Sequence, residues 1–263
     1  MLIDFHVHLF PDAIAEKALS HLADVCKSPY YTKGTYSDTL RNLKGWNVDV
    51  GVVMSIATNP HQQKKVNDFA ASIQGEHLLC FGSVHPDAPD ALDELERIKA
   101  LGLHGVKLHP DYQDFMIDDK KMYPIYDAIS ALGLPVTFHT GRDPLSPSLV
   151  HASPQAVAKV VDLFPHMKLI AAHMGGMAMY EESLGCLCGK NLFLDTAMCF
   201  KLCPPAIFER MVRKHGAEHI LFASDCPWSR SCDEFSYIEQ THLSSREKDL
   251  LYFENAQQLL GIF

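Results

Sequence analysis

Two histidines one residue apart, His6 and His8, stand near the start of the chain, and three further residues able to bind a metal or carry a proton close apolar runs much later. These are His139 after Val136-Thr137-Phe138, His173 after Ile170-Ala171-Ala172, and Asp225 after Phe222-Ala223-Ser224. Imidazole nitrogens and a carboxylate oxygen, with a position left for water, are the donor set of a catalytic rather than a closed structural metal site. Any one of these histidines alone reads as a hydrogen-bonded core residue, and a bare His-x-His pair is a weak motif. All five at the ends of apolar segments imply a fold that gathers those ends in one pocket.

Eight short apolar, β-branched-rich segments supply such ends, at residues 2–8, 48–56, 78–84, 105–109, 135–139, 168–173, 192–196 and 219–224. Their near-continuous apolar character predicts strands of a parallel sheet covered on both faces. Helical periods lie between them, with Asp87 predicted to open residues 88–101, Asp118 to open 121–132, and Ser153-Pro154 to open 155–164. Gly102 and Gly133 fall where left-handed caps close two of these helices. Strand and helix alternate about eight times with no linker or composition break, which predicts a single (β/α)8 TIM barrel over residues 1–263. An open doubly wound sheet would carry a glycine-rich phosphate loop after an early strand, and the bare pair Gly175-Gly176 does not make one. In a barrel all strand C-terminal ends open on one face, so the five residues converge there. Alternation along the first strand turns both His6 and His8 inward. The same alternation places Asp4 inward one layer deeper, where it is expected to orient a ligand imidazole from behind.

Composition narrows the partners. The 263 residues carry 23 Lys and Arg against 32 Asp and Glu, a net charge of -9, which does not suit a nucleic-acid duplex. No apolar run reaches the roughly 18 residues that span a bilayer, and the N-terminal sequence does not read as a secretory signal. The eight cysteines include no Cys-x-x-Cys pair, so reduced thiols and a cytoplasmic location are expected. A homodimer is left open.

Five stretches together carry a resemblance: Asp4-Phe5-His6-Val7-His8, Gly105-Val106-Lys107-Leu108-His109-Pro110, Val136-Thr137-Phe138-His139-Thr140-Gly141, Ala172-His173-Met174-Gly175-Gly176, and Leu221-Phe222-Ala223-Ser224-Asp225-Cys226-Pro227. The chain resembles the amidohydrolase-2 branch of the amidohydrolase superfamily, which includes the aminocarboxymuconate-semialdehyde decarboxylase type. The resemblance implies that His6, His8, His139 and Asp225 hold one divalent ion, usually zinc, and that His173 is a general acid/base beside it. A second ion is the alternative, because Lys107 on the fourth strand could be a carbamylated bridge. An ammonium at Lys107 binding a substrate carboxylate is the preferred reading, with His109 as a substrate contact. Arg142 and Arg230, just beyond strand ends, are candidate anchors for a carboxylate.

The activity expected from this set is hydrolysis of a small, carboxylated substrate by metal-activated water, with His173 or Asp225 relaying protons. Non-oxidative decarboxylation is the alternative, disfavoured because the chain is short and lacks a long insertion. A catalytically dead metal-binding scaffold is the third reading.

Overall fold

The computed structural model describes residues 1–262. Eight parallel strands follow one another in chain order around the sheet. They are β1 (Ile3–Val7), β2 (Val50–Met54), β3 (Leu78–Gly82), β4 (Gly105–Leu108), β5 (Val136–Phe138), β6 (Leu169–Ala171), β7 (Phe193–Asp195) and β8 (Ile220–Leu221). Each falls inside a segment marked by its apolar run, and helices occupy the connections, as in a (β/α)8 barrel. The first and last strands meet through Phe5 N–H to Phe222 O (2.8 Å), Asp225 N–H to His6 O (2.9 Å) and His8 N–H to Cys226 O (2.6 Å). These bonds continue past the end of β8 and join the sheet to itself.

The backbone turns left-handed just past β6 and just past the last apolar run, where functional residues stand. His173 has φ 57°, Met174 φ 53° and Asp225 φ 69°, conformations that a side chain with a Cβ adopts only at a cost of order 1–3 kcal/mol.

The apolar interior divides into two clusters. Ile3, Phe5, Val50, Val52, Met54, Phe81, Ile170 and Leu221 pack inside the barrel. Val7, Val53 and Leu78 pack with helix residues such as Leu43, Leu95 and Ile98 in the layer between sheet and helices. Ile3 and Phe5 therefore face inward and Val7 outward, although all three positions are odd. The cause is a register slip: β1 advances from Asp4 to Val7 while β2 advances only from Gly51 to Val53, so one extra residue sits in β1.

The helix Pro154–Leu163 forms as its sequence predicts. Ser153 Oγ accepts from Ala156 N–H at 3.2 Å, proline occupies the first turn, and Ala156, Val157, Val160 and Val161 face the sheet. Gly102 (φ 70°) and Gly133 (φ 68°) are left-handed, as expected. The two aspartate caps are displaced. The helix expected after Asp87 spans Ala91–Ala100 behind Asp90, and the next opens as a tight turn, Lys120–Met122, in which Asp119 accepts from Lys121 N–H. A local turn at residues 87–90 consumes the residues that periodicity alone assigned to the helix.

Candidate active site

The strand ends converge on a cavity of about 1210 Å³, whose floor holds His6, His8, Lys107, His139, His173 and Asp225. Three donor atoms form a near-equilateral triangle: His6 Nε2 to His8 Nε2 is 3.2 Å, His8 Nε2 to Asp225 Oδ1 is 3.3 Å, and His6 Nε2 to Asp225 Oδ1 is 3.5 Å. Donors of a tetrahedral ion with bonds near 2.0–2.1 Å stand about 3.3 Å apart, so the triangle has the dimensions of one face of such a site.

The tautomers agree with this. His8 Nδ1 lies 2.9 Å from Met54 O, which can only accept, so Nδ1 carries the proton. His6 Nδ1–H donates to Asp195 Oδ2 at 2.9 Å. The other oxygen of Asp195 accepts the backbone N–H groups of His173 (2.8 Å) and Ala197 (3.1 Å). Both Nε2 atoms are then bare lone pairs, and with the Asp225 oxygen they make three converging acceptors. Burial above all keeps His6 neutral, holding its pKa well below the ordinary imidazole value. This donor set fits a divalent cation.

Lys107 is buried with its Nζ 3.3 Å from His6 Nε2. Burial lowers its pKa while Asp195, Asp225 and Asp143 pull it back up, leaving it at about 8, an ammonium at neutral pH. His173 Nδ1–H donates to Ala197 O at 3.1 Å, so its Nε2 accepts from His139 Nδ1–H at 3.0 Å. The resemblance made His139 a fourth ligand beside His6, His8 and Asp225. In the structure it groups instead with His109 and Asp143, because its Nδ1 is turned to His173 and its Nε2 to the far side. His109 lines the cavity between the rings of His139 (4.3 Å, 8° between planes) and Tyr112 (3.9 Å).

Two expected roles are corrected. Asp4 touches no imidazole. Its Oδ1 accepts from the N–H groups of Ser224 (2.9 Å) and His6 (3.2 Å), and its Oδ2 accepts the hydroxyls of Ser224 (2.5 Å) and Ser231 (2.6 Å). The extra residue in β1 breaks the alternation that would have aimed Asp4 beside the histidines, and burial without a cation raises its pKa to about 6. Arg230 does not reach the cavity. It caps the helix Ser231–Glu239 and pairs in two-pronged fashion with Asp233 (2.7 and 2.8 Å), while lying over the ring of Tyr31. Arg142 does line the cavity and pairs with no carboxylate among the described residues.

Asp195 and Asp143 were missed. Asp195 ends β7 just as His6 and His139 mark the ends of their strands, and an apolar run closing on Asp-Thr was the available signal. Asp143 lies on a loop with no periodic pattern to mark it.

A profile described as amidohydrolase matches residues 3–262. Gamma-resorcylate decarboxylase from Polaromonas sp. (strain JS666) is 22% identical over 251 residues, covering 76% of this chain and 76% of its own. The structure of 5-carboxyvanillate decarboxylase from Sphingomonas paucimobilis superposes with a TM-score of 0.73 at 16% identity, covering 100% of this chain and 99% of the other. A dihydroxybenzoic acid decarboxylase from Polaromonas sp. JS666, solved with manganese and 2-nitroresorcinol, gives 0.73 at 17%, with 99% and 96% covered. These relatives overturn the expectation of hydrolysis, since all three are decarboxylases. A decarboxylase barrel is spanned almost end to end, so the length of this chain does not exclude that chemistry. The dihydroxybenzoic acid decarboxylase was solved with manganese, so the expectation of zinc widens to that of a divalent ion. With its strand order, its converging donors and a profile match over nearly every residue, the chain belongs to the amidohydrolase family.

Proposed function

We propose that this protein is a metal-dependent, non-oxidative decarboxylase of a small aromatic or similarly conjugated carboxylic acid. The observation that carries the reading is the layout of the cavity: a floor of converging acceptors with one buried ammonium, under walls that include Leu9, Phe10, Ile14, Met54 and Phe69. A flat, apolar acid fits such a space with its charged edge down. The decarboxylases similar to this chain act on carboxylates of that kind.

His6, His8 and Asp225 hold the ion, which when bound supplies Lewis acidity to an oxygen of the substrate. Manganese is favoured by the related structure that contains it, and the imidazole-rich donor set equally accommodates zinc. Lys107 binds the carboxylate or a neighbouring phenolic oxygen, and Arg142 offers a second cation nearer the mouth. In the reaction the bond between ring carbon and carboxylate breaks, carbon dioxide leaves, and the same carbon takes up a proton. His173 is the proton carrier: once its Nε2 has taken a proton from water it gives that proton to the ring carbon, while Nδ1–H stays fixed on Ala197 O. Asp195 and the Met54 carbonyl fix the ring orientations that leave the metal-facing nitrogens bare. Among the described residues no helix is long and apolar enough to cross a membrane.

The test is a panel of hydroxylated benzoates incubated with protein loaded with manganese or zinc, with carbon dioxide and the decarboxylated phenol measured together. Equimolar release of both is expected. Consumption of none of the panel with either metal, or loss of substrate without carbon dioxide, would sink the assignment.

A further inference from the structure

The cavity is larger than its floor requires. Its volume of about 1210 Å³ exceeds the roughly 300–1,000 Å³ of sites that enclose drug-sized ligands, and a one-ring acid seated at Lys107 fills a small part of it. The remaining walls come from two helices, Asp12–Cys26 after β1 and Gln63–Ile73 after β2. Leu9 and Phe10 lead from His8 to the first, and Met54, Ser55 and Ile56 lead to the second. One continuous space therefore runs from the metal-facing nitrogens to both helices.

Each helix turns an apolar stripe to this space. On the first, Ile14, Ala18, Leu22 and Cys26 stand at steps of four, a row about 18 Å long on one face. The residues this helix buries are Ala15 and Leu19, so the row is a second apolar face, with Ile14 51% exposed and Ala18 and Leu22 half-buried. The second helix reverses the usual amphipathic order. Its polar Gln63 and Asn67 are buried: Gln63 donates to Asp90 Oδ1 (2.7 Å) and accepts from His85 N–H (3.0 Å), and Asn67 donates to Ser83 O (3.0 Å) and Glu94 Oε1 (2.8 Å) and accepts from Ser83 N–H (2.8 Å). Val66 and Phe69 are left half-buried along the groove. Gln62 also borders it, but its Oε1 is spent on the N–H (3.1 Å) and hydroxyl (2.9 Å) of Thr58. The exposed His21 and Lys65 can keep their polar ends in water while their carbon stems line the wall. Apolar surface gathered in this way and left uncovered marks a ligand groove.

We infer that the groove between these two helices is a subsite for an alkyl side chain carried by the acid, on the edge of the ring opposite its carboxylate. With the carboxylate held at Lys107 on the floor, that edge points out of the barrel, where the two stripes begin. The groove then distinguishes acids by the apolar area each can bury in it. The inference rests on the proposed function only in taking the ligand to be an aromatic acid seated by its carboxylate. It makes Ala18, Leu22 and Val66 specificity-determining residues that touch the side chain and not the bond that breaks.

The experiment is a stopped-flow fluorescence titration of the manganese-loaded full chain with ortho-hydroxybenzoate and its propyl and hexyl derivatives, substituted opposite the carboxylate. The amplitude reads binding before turnover, and carbon dioxide is measured afterwards in the same mixtures. Affinity is expected to rise about threefold or more for each methylene that enters the groove. Leu22→Gln and Val66→Gln, which put an amide among the stripes, should each cut the ratio of hexyl to unsubstituted affinity about tenfold. Ala18→Phe, which narrows the groove without adding a polar group, should lower affinity for the hexyl acid more than for the propyl acid. Each readout is a ratio within one protein, so a general loss of folded or loaded protein cancels. Affinity that is flat across the series in wild type, binding of no member, or a ratio unmoved in all three variants overturns the subsite. Carbon dioxide released from a series of flat affinity leaves the proposed reaction standing without it. Affinity that climbs with the chain, with no carbon dioxide from any member, sinks the reaction and leaves the subsite. A dimer in sedimentation velocity that Leu22→Gln dissociates would assign the groove to a second copy of the chain and equally overturn the subsite.

Discussion

The carboxylate of Asp195 stands 2.9 Å from His6 Nδ1 and holds two backbone N–H groups with its other oxygen, so one buried side chain sets the tautomer of a metal-facing imidazole and the path of the chain at His173. Asp195→Asn removes the charge that fixes the proton on Nδ1. Metal affinity, measured by competition with a coloured chelator, is expected to fall about 10- to 100-fold, as for other groups that orient a ligand histidine from behind. Unchanged affinity would show that His6 keeps its orientation without Asp195.

His173→Ala separates proton transfer from metal binding. The variant should retain the ion held by His6, His8 and Asp225 and lose about 10²- to 10⁴-fold in kcat, the range of a general acid/base. Loss of that ion along with the rate would place His173 among the ligands.

The two loop arginines are expected to behave differently. Arg142 lines the cavity whereas Arg230 is committed to Asp233. Arg142→Ala should raise KM for a carboxylate substrate by about tenfold with kcat little changed, because a charge contact made equally in ground and transition states is uniform binding. Arg230→Ala should leave both constants as they are, and steady-state kinetics on the two variants checks the contrast.

Gly141 carries φ 91°, and a Cβ there would come within 2.0 Å of Met177 N. The loop around it is pinned by Gly141 N–H to Ala152 O, Met177 N–H to Thr140 O and Arg142 N–H to Met177 O. Gly141→Ala must push these segments apart and is expected to cost at least about 1–3 kcal/mol in urea unfolding. It should also disturb the placement of Arg142 and Asp143, read as a rise in KM.

Far from the cavity, His215 accepts from Gly189 N–H at Nδ1 (3.1 Å) and donates from Nε2 to Leu192 O (3.0 Å), which holds it neutral. Burial, helped by His219, lowers its pKa to about 4 from an ordinary 6.5. The unfolded chain binds a proton that the folded chain refuses, so stability is full above pH 6.5 and is lost as pH falls toward 4. The loss approaches about 3 kcal/mol across that window. His215→Gln should flatten this part of the stability profile relative to wild type in urea titrations at a series of pH values.

The strands and the residues at their ends were legible because burial on both faces writes a continuous apolar run, and chemistry stands where the run stops. His6, His8, Lys107, His173 and Asp225 were singled out that way, and all five line one cavity. Asp4 was misread because its position rests on the parity of β1, and one inserted residue, invisible in composition, reverses that parity. Arg230 was misread because a loop arginine four residues before a helical turn's end looks the same whether it meets a substrate or Asp233. The partition of the histidines between two donor groups depends on which ring nitrogen each carbonyl claims, and no spacing rule encodes that.

The seam between β1 and β8 carries one more consequence. His6 and His8 lie on the first strand and Asp225 just past the last, and Asp4 is tied to Ser224 across a sequence separation of 220 residues. During synthesis the first two ligands leave the ribosome long before the third exists. The triangle cannot assemble until nearly the whole chain is available, so with the proposed ligands metal uptake would be a late event in folding and a report on barrel closure. Truncation before residue 225 would leave a chain with two exposed strand edges and half a binding site, a form suited to aggregation and to capture by chaperones.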